Sequence, residues 1–430
     1  MTKSTKRALA SECINKQNQV VTVKGWVKRI RHLGNVSFLV LREHSGEIQC
    51  VLENALAGMK IEIESVVAVT GEIVKTTQTK SGIELLAGKV EILNASLTPP
   101  FELNKKEVNA SLEHILNHRT LSLRHEKLHA IFSIKATLAH AFGEYLNSEG
   151  FTRIFTPKIV SQGAEGGANV FKLNYFGKEA YLAQSPQFYK QMMVASGYER
   201  VYEVGSVYRA EEHNSSRHLN EYISLDVEVG FIESFYELME LETNVLRYMM
   251  EKVKEKHAKE LNLLQVEVPT INEVPSVTVL EAQEILMKCY KKEMPEGDLN
   301  AEGEKLLAKY IKETTGSEFV FITKYPKEAR PMYTMPNSEG TTNSFDLLYK
   351  GIEITSGGER IHEHEMLMKS FEEKELNPAH FEQYLNIFQY GVPPHGGFAI
   401  GLERVVAKLL NLPNVREASA FPRDCERIIP

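Results

Sequence analysis

Several features that would narrow the function at once are missing from this chain of 430 residues. Cysteine is scarce: Cys13, Cys50, Cys289 and Cys425 lie far apart and form no CxxC pair. That excludes a disulfide framework and a cysteine zinc site, and a reducing cytoplasm is the expected setting. No run approaches the ~18 apolar residues needed to cross a bilayer, and the polar start MTKSTKRALASE lacks a secretory core. A phosphate-binding GxxxxGK[ST] loop is absent; the glycine-rich stretch 163–169, GAEGGAN, has the wrong spacing and reads as a mobile loop. His362 and His364 stand in IHEHE rather than HExxH, so they read as structural and not as metal ligands.

What is present fits a soluble protein of two to three domains, with 43% hydrophobic and 25% charged residues. The net charge of −7 is unevenly spread. Residues 1–96 hold 13 Lys/Arg against 9 Asp/Glu, a net +4, and the remainder carries −11. A basic amino-terminal part is open to nucleic acid, and equally to a small domain with a slightly basic surface.

Within 20–93, five short runs of strand character follow one another: 20–30, 36–42, 48–52, 66–75 and 83–93. Five strands in ~75 residues predict a small barrel of the oligonucleotide-binding (OB) type. Such barrels stack unpaired bases on aromatics and read their edges with polar side chains. Phe38 and Gln49 are candidates for those two tasks, or ordinary barrel residues. Residues 97–110, with Pro99-Pro100 at their centre, read as a linker.

The second part, 111–430, is organised around 201–230, VYEVGSVYRAEEHNSSRHLNEYISLDVEVG. Runs 201–208 and 222–229 predict a β-hairpin. Ile223, Leu225, Val227 and Val229 alternate with Tyr222, Ser224, Asp226 and Glu228, which places one face on a core and the other towards water or a ligand. Arg209, Glu211, Arg217 and His218 crowd the connection, and paired guanidinium forks suit a polyphosphate. Helices are expected over 111–124, 125–148, 235–261, 279–292 and 301–314, with sheet strands at 319–322, 330–335 and 344–349. The segment 262–320 reads as an insertion supplying structure rather than chemistry. Residues 184–193, QSPQFYKQMM, open a helix with Gln187 and Lys190 on one face. In GVPPHGGFAIGLERVVAKLL a glycine-rich strand feeds a helix near Leu402, with Arg404 in its first turn, beside an end that favours phosphate.

These stretches together resemble the class II aminoacyl-tRNA synthetases, and among them the aspartyl enzymes of archaeal type. The run 151–157, FTRIFTP, is similar to the first class II signature; Tyr208-Arg209-Ala210-Glu211 with Arg217-His218 matches the second, and Gly401-Leu402-Glu403-Arg404 the third. GAEGGANVF, QSPQFYKQ, GIEITSGGERIH and the ending FPRD match the aspartyl branch, and GWVKRIRHLGNVSFLVLRE its anticodon-binding barrel. Ala399, where glycine is usual, and Cys425, where proline is usual, depart from the pattern.

The resemblance implies an α+β architecture: the OB-fold barrel, then an antiparallel sheet flanked by helices, with ATP as co-substrate bent over the sheet. It implies that Arg209 and Arg404 are catalytic, that Arg209 faces the α-phosphate and the amino-acid carboxylate, and that Arg217 and Arg404 take the outer phosphates. Glu211, His218, Leu219, Glu353, Gly401, Leu402 and Glu403 complete the ATP site. Glu353, Ser356 and Asp346 would hold Mg²⁺. Aspartate would be held by Glu165 and Gln187 at its ammonium and by Lys190 and Arg360 at its side chain, with Ser356 adjoining. On the barrel, Phe38 would stack an anticodon base, Gln49 meet a base edge, Glu84 face the third letter, and Arg29 and Arg31 grip the backbone. The implied partners are tRNA-Asp, with tRNA-Asn left open, and a second copy of the chain docked through 151–157. An asparagine–tRNA ligase, a tRNA-independent adenylating enzyme and a non-catalytic nucleic-acid binder are the alternatives. The intact barrel speaks against the second of these, and the presence of Arg209, Glu353 and Arg404 against the third.

Overall fold

The computed structural model describes residues 7–163, 169–213 and 215–430. The chain divides into two compact units, Met1–His125 and Glu126–Pro430.

In the first unit, β1 (Val20–Leu33), β2 (Val36–Glu43), β3 (Gly46–Glu53), β4 (Val66–Lys75) and β5 (Ile83–Asn94) form the expected barrel. Each of β1–β2, β2–β3 and β4–β5 pairs antiparallel, β3 pairs parallel with β5, and β1 closes the ring on β4. Alternation along these strands sends Val23, Val27, Leu39, Leu41, Cys50, Leu52, Val67, Val69 and Leu85 into one core. The helix expected over 111–124 is two short ones, Leu112–Asn117 and Arg119–Ser122, broken at His118, whose φ of −114° and ψ of 39° leave the helical region.

The second unit is built on a mixed, mostly antiparallel sheet. Among its helices are α1 (Glu126–Ser148), α2 (Gln187–Met193), α3 (Phe235–Lys256), α4 (Val279–Tyr290), α5 (Ala301–Thr315) and α6 (Leu402–Leu409). The strands of this sheet are β6 (Thr152–Arg153), β7 (Arg200–Tyr208), β8 (Glu221–Gly230), β9 (Ser276–Thr278), β10 (Phe319–Thr323), β11 (Ser344–Tyr349), β12 (Ile352–Arg360) and β13 (His395–Gly401). They lie in the order β9-β10-β11-β12-β13-β8-β7-β6, with only β9–β10 and β7–β6 parallel. The helices α1, α3 and α6 bury their apolar stripes against one face of this sheet: Phe142, Leu225, Val227, Leu246, Met249, Phe398, Ile400 and Val405 belong to one cluster. Full burial of each such side chain stabilises by roughly 1.5–3 kcal/mol.

Two expectations need correction. The helix at 235–261 stops at Lys256 because His257 takes φ −122° and its ring bonds Thr137 at 2.7 Å; a separate helix, Ala258–Leu264, follows. Residues 330–335 are not a strand: their β-pairing is the isolated bridge Thr334↔Arg360. Within 262–320, β9 pairs with β10, and α4 and α5 pack on β10 with Val279, Leu286, Leu307, Ile311, Val320 and Ile322 in one core.

One polar side chain sits wholly inside the helix-facing layer. Glu242 of α3 is 0% exposed, with the Thr355 hydroxyl beside it, and burial pushes its carboxyl up to about 8.

Candidate active site

The opposite face of the sheet opens into a cleft of ≈ 730 Å³, walled by the β7–β8 connection, β8, β12, β13, α2 and the stretch 328–334. Gln187, Lys190, Arg209, Glu211, Arg217, His218, Leu219, Glu353, Ser356, Arg360, Gly401, Glu403 and Arg404 all line it. Residues separated by more than 200 positions in sequence thus share one cavity. Glu165 lies outside the described residues. Two other expected members stand off the wall: Leu402 packs in the core and Asp346 lies behind, ion-paired to Arg330 at 2.8 Å.

The cleft floor is a buried charge lattice. β8 sends Ser224, Asp226 and Glu228 up from its polar face, yet these are only 5%, 2% and 0% exposed, so the face expected to be wet is dry. Lys190 Nζ reaches Asp226 Oδ1 at 3.1 Å and Glu228 Oε2 at 3.3 Å. The Arg360 guanidinium, arriving from β12, donates to Glu228 at 3.0 Å and to the Gly397 carbonyl at 2.9 Å. Burial works to raise the Glu228 carboxyl, but Arg360 and Lys190 outweigh it and hold the group below its ordinary range. Two cations and two carboxylates therefore balance before any ligand enters. Gln187 adds an orphan, because its buried amide nitrogen has no hydrogen-bond partner among the described residues.

Behind this lattice, the Tyr384 hydroxyl and Gln191 side chain are 2.9 Å apart, as are Gln191 and His395 Nε2. His395 Nδ1 lies 2.9 Å from the Pro393 carbonyl. That carbonyl can only accept, so Nδ1 carries the proton and Nε2 accepts from the Gln191 amide. Burial pushes the His395 ring down to about 4, keeping it neutral. Gly397 makes the close approach possible: a Cβ there would meet the Val227 carbonyl at 2.1 Å and Glu228 Oε2 at 2.3 Å.

The other half of the cleft is a set of arginines. Arg209, at the end of β7, lies 3.9 Å from Glu211 and over the Tyr222 ring at 5.9 Å. Arg404, in the first turn of α6, donates to the Glu353 carbonyl at 2.9 Å and to the Arg217 carbonyl at 3.4 Å. His218 is pushed towards its neutral form by burial and then by the Arg404 charge. Glu403 is committed elsewhere: its carboxylate accepts from Lys135 Nζ at 2.6 Å and from the Ile223 amide at 3.0 Å, tying α1 to β8 rather than facing the cleft contents. Ala399 lies opposite both Asp226 and Ser356 on the cleft floor.

Of the two carboxylates expected to hold Mg²⁺, Glu353 lines the cleft, and Ser356 Oγ donates to it at 3.1 Å. Burial and the nearby Asp346 charge raise its carboxyl. Asp346 Oδ1 is buried with no hydrogen-bond partner among the described residues. Crowded, under-compensated carboxylate oxygens beside a hydroxyl form a hard donor set of the kind Mg²⁺ uses when phosphates supply the remaining ligands.

The sequence reading missed four participants. Asp226 and Glu228 were visible only as alternating polar residues. Arg330, stacked on Tyr325 at 3.7 Å, and Glu304, bonded to Arg217 at 2.8 Å, lay in stretches read as strand and insertion. An unpaired charge inside an apolar-rich segment was the available signal.

On the barrel, the five expected residues fall on one outer face. Arg31 stands opposite Phe38, Arg29 opposite Val40, and Val40 opposite Gln49. Gln49 Nε2 donates to Glu84 at 3.2 Å. Both arginines are exposed, and Phe38 is half-buried.

Comparison with known proteins agrees with this geometry. Residues 111–425 match the family model for class II tRNA synthetases (D, K and N), and 21–93 that of the OB-fold nucleic acid binding domain. The aspartate–tRNA(Asp/Asn) ligase of Thermus thermophilus is 48% identical over 418 residues, covering 96% of this chain and 97% of that protein. The aspartate–tRNA(Asp) ligase of Pyrococcus furiosus is 43% identical over 422 residues, covering 95% and 96%. Among solved structures, asparaginyl-tRNA synthetase from Pyrococcus horikoshii with asparaginyl-adenylate superposes with a TM-score of 0.92 at 29% identity, covering 99% of this chain and 100% of that one. The aspartyl-tRNA synthetase from Entamoeba histolytica gives 0.87 at 28%, covering 100% and 94%.

Proposed function

The chain belongs to the class II tRNA synthetases of the D, K and N group, and from that premise we propose that it is an aspartate–tRNA ligase that charges tRNA-Asp and also tRNA-Asn. The observation that carries the amino-acid assignment is the paired cations Lys190 and Arg360 on the cleft floor, 2% and 5% exposed. A substrate side-chain carboxylate offers acceptors to both. An amide turns a donor towards one of these donor-only cations and loses an acceptor there, a mismatch that can discriminate by ~10⁴ or more.

In the first step the aspartate α-carboxylate attacks the α-phosphorus of ATP and pyrophosphate leaves. The protein supplies no nucleophile; it positions the reactants and stabilises charge. Arg209 faces the α-phosphate and the attacking carboxylate, while Arg217 and Arg404 neutralise the outer phosphates. Glu165 and Gln187 are proposed for the substrate ammonium, Gln187 through its amide oxygen, since only an acceptor can hold an ammonium. Glu353, Ser356 and Asp346 would hold Mg²⁺, which neutralises phosphate charge when bound. In the second step the terminal ribose hydroxyl of the tRNA attacks the adenylate carbonyl, releasing AMP.

Relaxed tRNA choice is supported by the naming of relatives: the enzymes from Thermus thermophilus, Deinococcus radiodurans and Aeropyrum pernix, at 45–48% identity, are described as acting on tRNA(Asp/Asn). Phe38, Gln49, Glu84, Arg29 and Arg31 are the proposed anticodon contacts, and a homodimer through 151–157 is the proposed assembly, where Phe155 is 81% exposed. No helix among the described residues is long and apolar enough to cross a membrane, and the proposed setting is the cytoplasm.

Pyrophosphate exchange with each amino acid tests the substrate: aspartate should support it and asparagine should not. Charging of both purified tRNAs tests the breadth. A single mismatched base costs ~1–3 kcal/mol in such recognition, so a preference for tRNA-Asp above ~1000-fold overturns relaxed choice and leaves the ligase assignment standing. Sedimentation as an active monomer at micromolar concentration overturns the dimer.

A further inference from the structure

The helix α5 brings a carboxylate up against the nucleotide half of the cleft. This helix is capped by Asn300, whose side chain accepts from the Glu302 and Gly303 amides, and Glu304 follows in its first turn. Both oxygens of Glu304 accept from the same nitrogen of Arg217, Nη2, at 3.0 and 2.8 Å. One of them also lies 3.4 Å from the backbone amide of Glu353. A single carboxylate thus links three elements: α5, the β7–β8 connection that carries Arg217, and β12.

The direction of approach decides what this link can do. Arg217 and Glu353 line the cleft, and Glu304 does not. The carboxylate therefore grips the guanidinium from behind and takes up no ligand volume, so it is not a stand-in for a phosphate. Because it engages Nη2 alone, it leaves the opposite edge of the fork, Nη1, to meet an anion. Arginine binds oxyanions well when its plane is fixed in advance, and a buried charged partner fixes it. Burial raises the Glu304 carboxyl and Arg217 counters that rise, consistent with a group committed to one cation.

We propose that Glu304 is a positioning residue for the nucleotide: it fixes the Arg217 guanidinium on the cleft wall, so that the 262–320 segment governs how strongly the outer phosphates of ATP are held. The inference rests on the assignment of Arg217 to those phosphates.

The test compares full-length wild type, Glu304→Gln, Glu304→Ala, Arg217→Ala and the Glu304→Ala/Arg217→Ala double variant. The readouts are affinities for ATP and AMP by calorimetry and KM for ATP and aspartate in pyrophosphate exchange. AMP lacks the outer phosphates and reports on the rest of the pocket. Glu304→Ala should weaken ATP about tenfold, the worth of one charge-assisted hydrogen bond, and leave AMP affinity and the aspartate KM unchanged. Glu304→Gln, which keeps one acceptor and the side-chain shape, should recover most of that loss. The double variant should be no worse than Arg217→Ala alone, because the two residues act as a unit.

If Arg217→Ala lowers the ATP-to-AMP affinity ratio and both Glu304 variants leave it unchanged, the inference falls and the Arg217 assignment survives. If Arg217→Ala itself leaves the ratio unchanged, both fall. Equal weakening of ATP, AMP and aspartate in Glu304→Gln marks a merely structural role and also overturns the inference. Should Glu304→Ala fail to fold, Glu304→Leu, which keeps the volume and removes both acceptors, takes its place with the same expected loss and the same overturning result.

Discussion

Replacing Glu228 by glutamine removes one charge from the cleft floor without changing its shape, and the outcome follows from counting. Glu228 lies 3.0 Å from Arg360 and 3.3 Å from Lys190, and Asp226 lies 3.1 Å from Lys190. All four groups are at most 5% exposed. With Glu228 ionised the set is neutral; with a glutamine in its place one buried positive charge is left unmatched. Breaking a buried pair by deleting one partner costs about 3–5 kcal/mol. At roughly 2–4 °C per kcal/mol for a domain of this size, Tm should fall by about 6–20 °C at pH 7. Because the groups are screened from solvent, 0.5 M salt should leave the difference nearly intact. The pH dependence has a definite sign. The folded-state Glu228 carboxyl is held below its unfolded value, so its stabilisation is fully present above the ordinary carboxylate range. It is lost as pH falls through the depressed value, and the wild-type advantage should therefore shrink only in strong acid. The assay is thermal unfolding of both proteins from pH 3 to 8. A Glu228→Gln protein melting within 2 °C of wild type at pH 7 (less than ~1 kcal/mol by the same scale) would refute the charge-lattice reasoning.

Glu242→Gln should show the opposite trend. The native carboxyl is pushed up to about 8, so its contribution is complete below the unfolded value and is lost as pH rises through about 8. The variant should therefore gain on wild type between pH 5 and 8, by at least ~1 kcal/mol at the upper end, read from paired melting curves. Arg209→Ala should fold normally and lose at least ~100-fold in pyrophosphate exchange, as expected for one transition-state contact; near-normal exchange would remove Arg209 from the chemistry. Gly397→Ala should abolish aspartate activation, since the added methyl meets the Val227 carbonyl and the Glu228 carboxylate. Retained activity would show that the β8–β13 contact can open. Phe38→Ala should leave exchange unchanged and reduce tRNA charging by roughly 1–3 kcal/mol in kcat/KM, the range for one stacked base.

Local pattern alone was enough for the elements whose partners are their own neighbours in sequence. The five barrel strands alternate between a core and solvent, so period two placed them. In β8 the same period put Leu225 and Val227, each 0% exposed, on the core side. The charged connection 209–218 and the glycine-rich entry to α6 were legible because their residue types suit phosphate wherever they stand. Sequence could not say what the polar face of β8 meets. Asp226 and Glu228 read as a solvated edge, and they became a dry lattice because Lys190 and Arg360 arrive from 36 and 132 positions away. Nor could it assign Glu304, whose partner stands 87 residues earlier. Pairing free energy depends on distance and burial, and neither is a property of the order of residues along the chain. The sequence determined which groups this protein could use; the folded sheet decided which charges are buried together and which are left to meet a ligand.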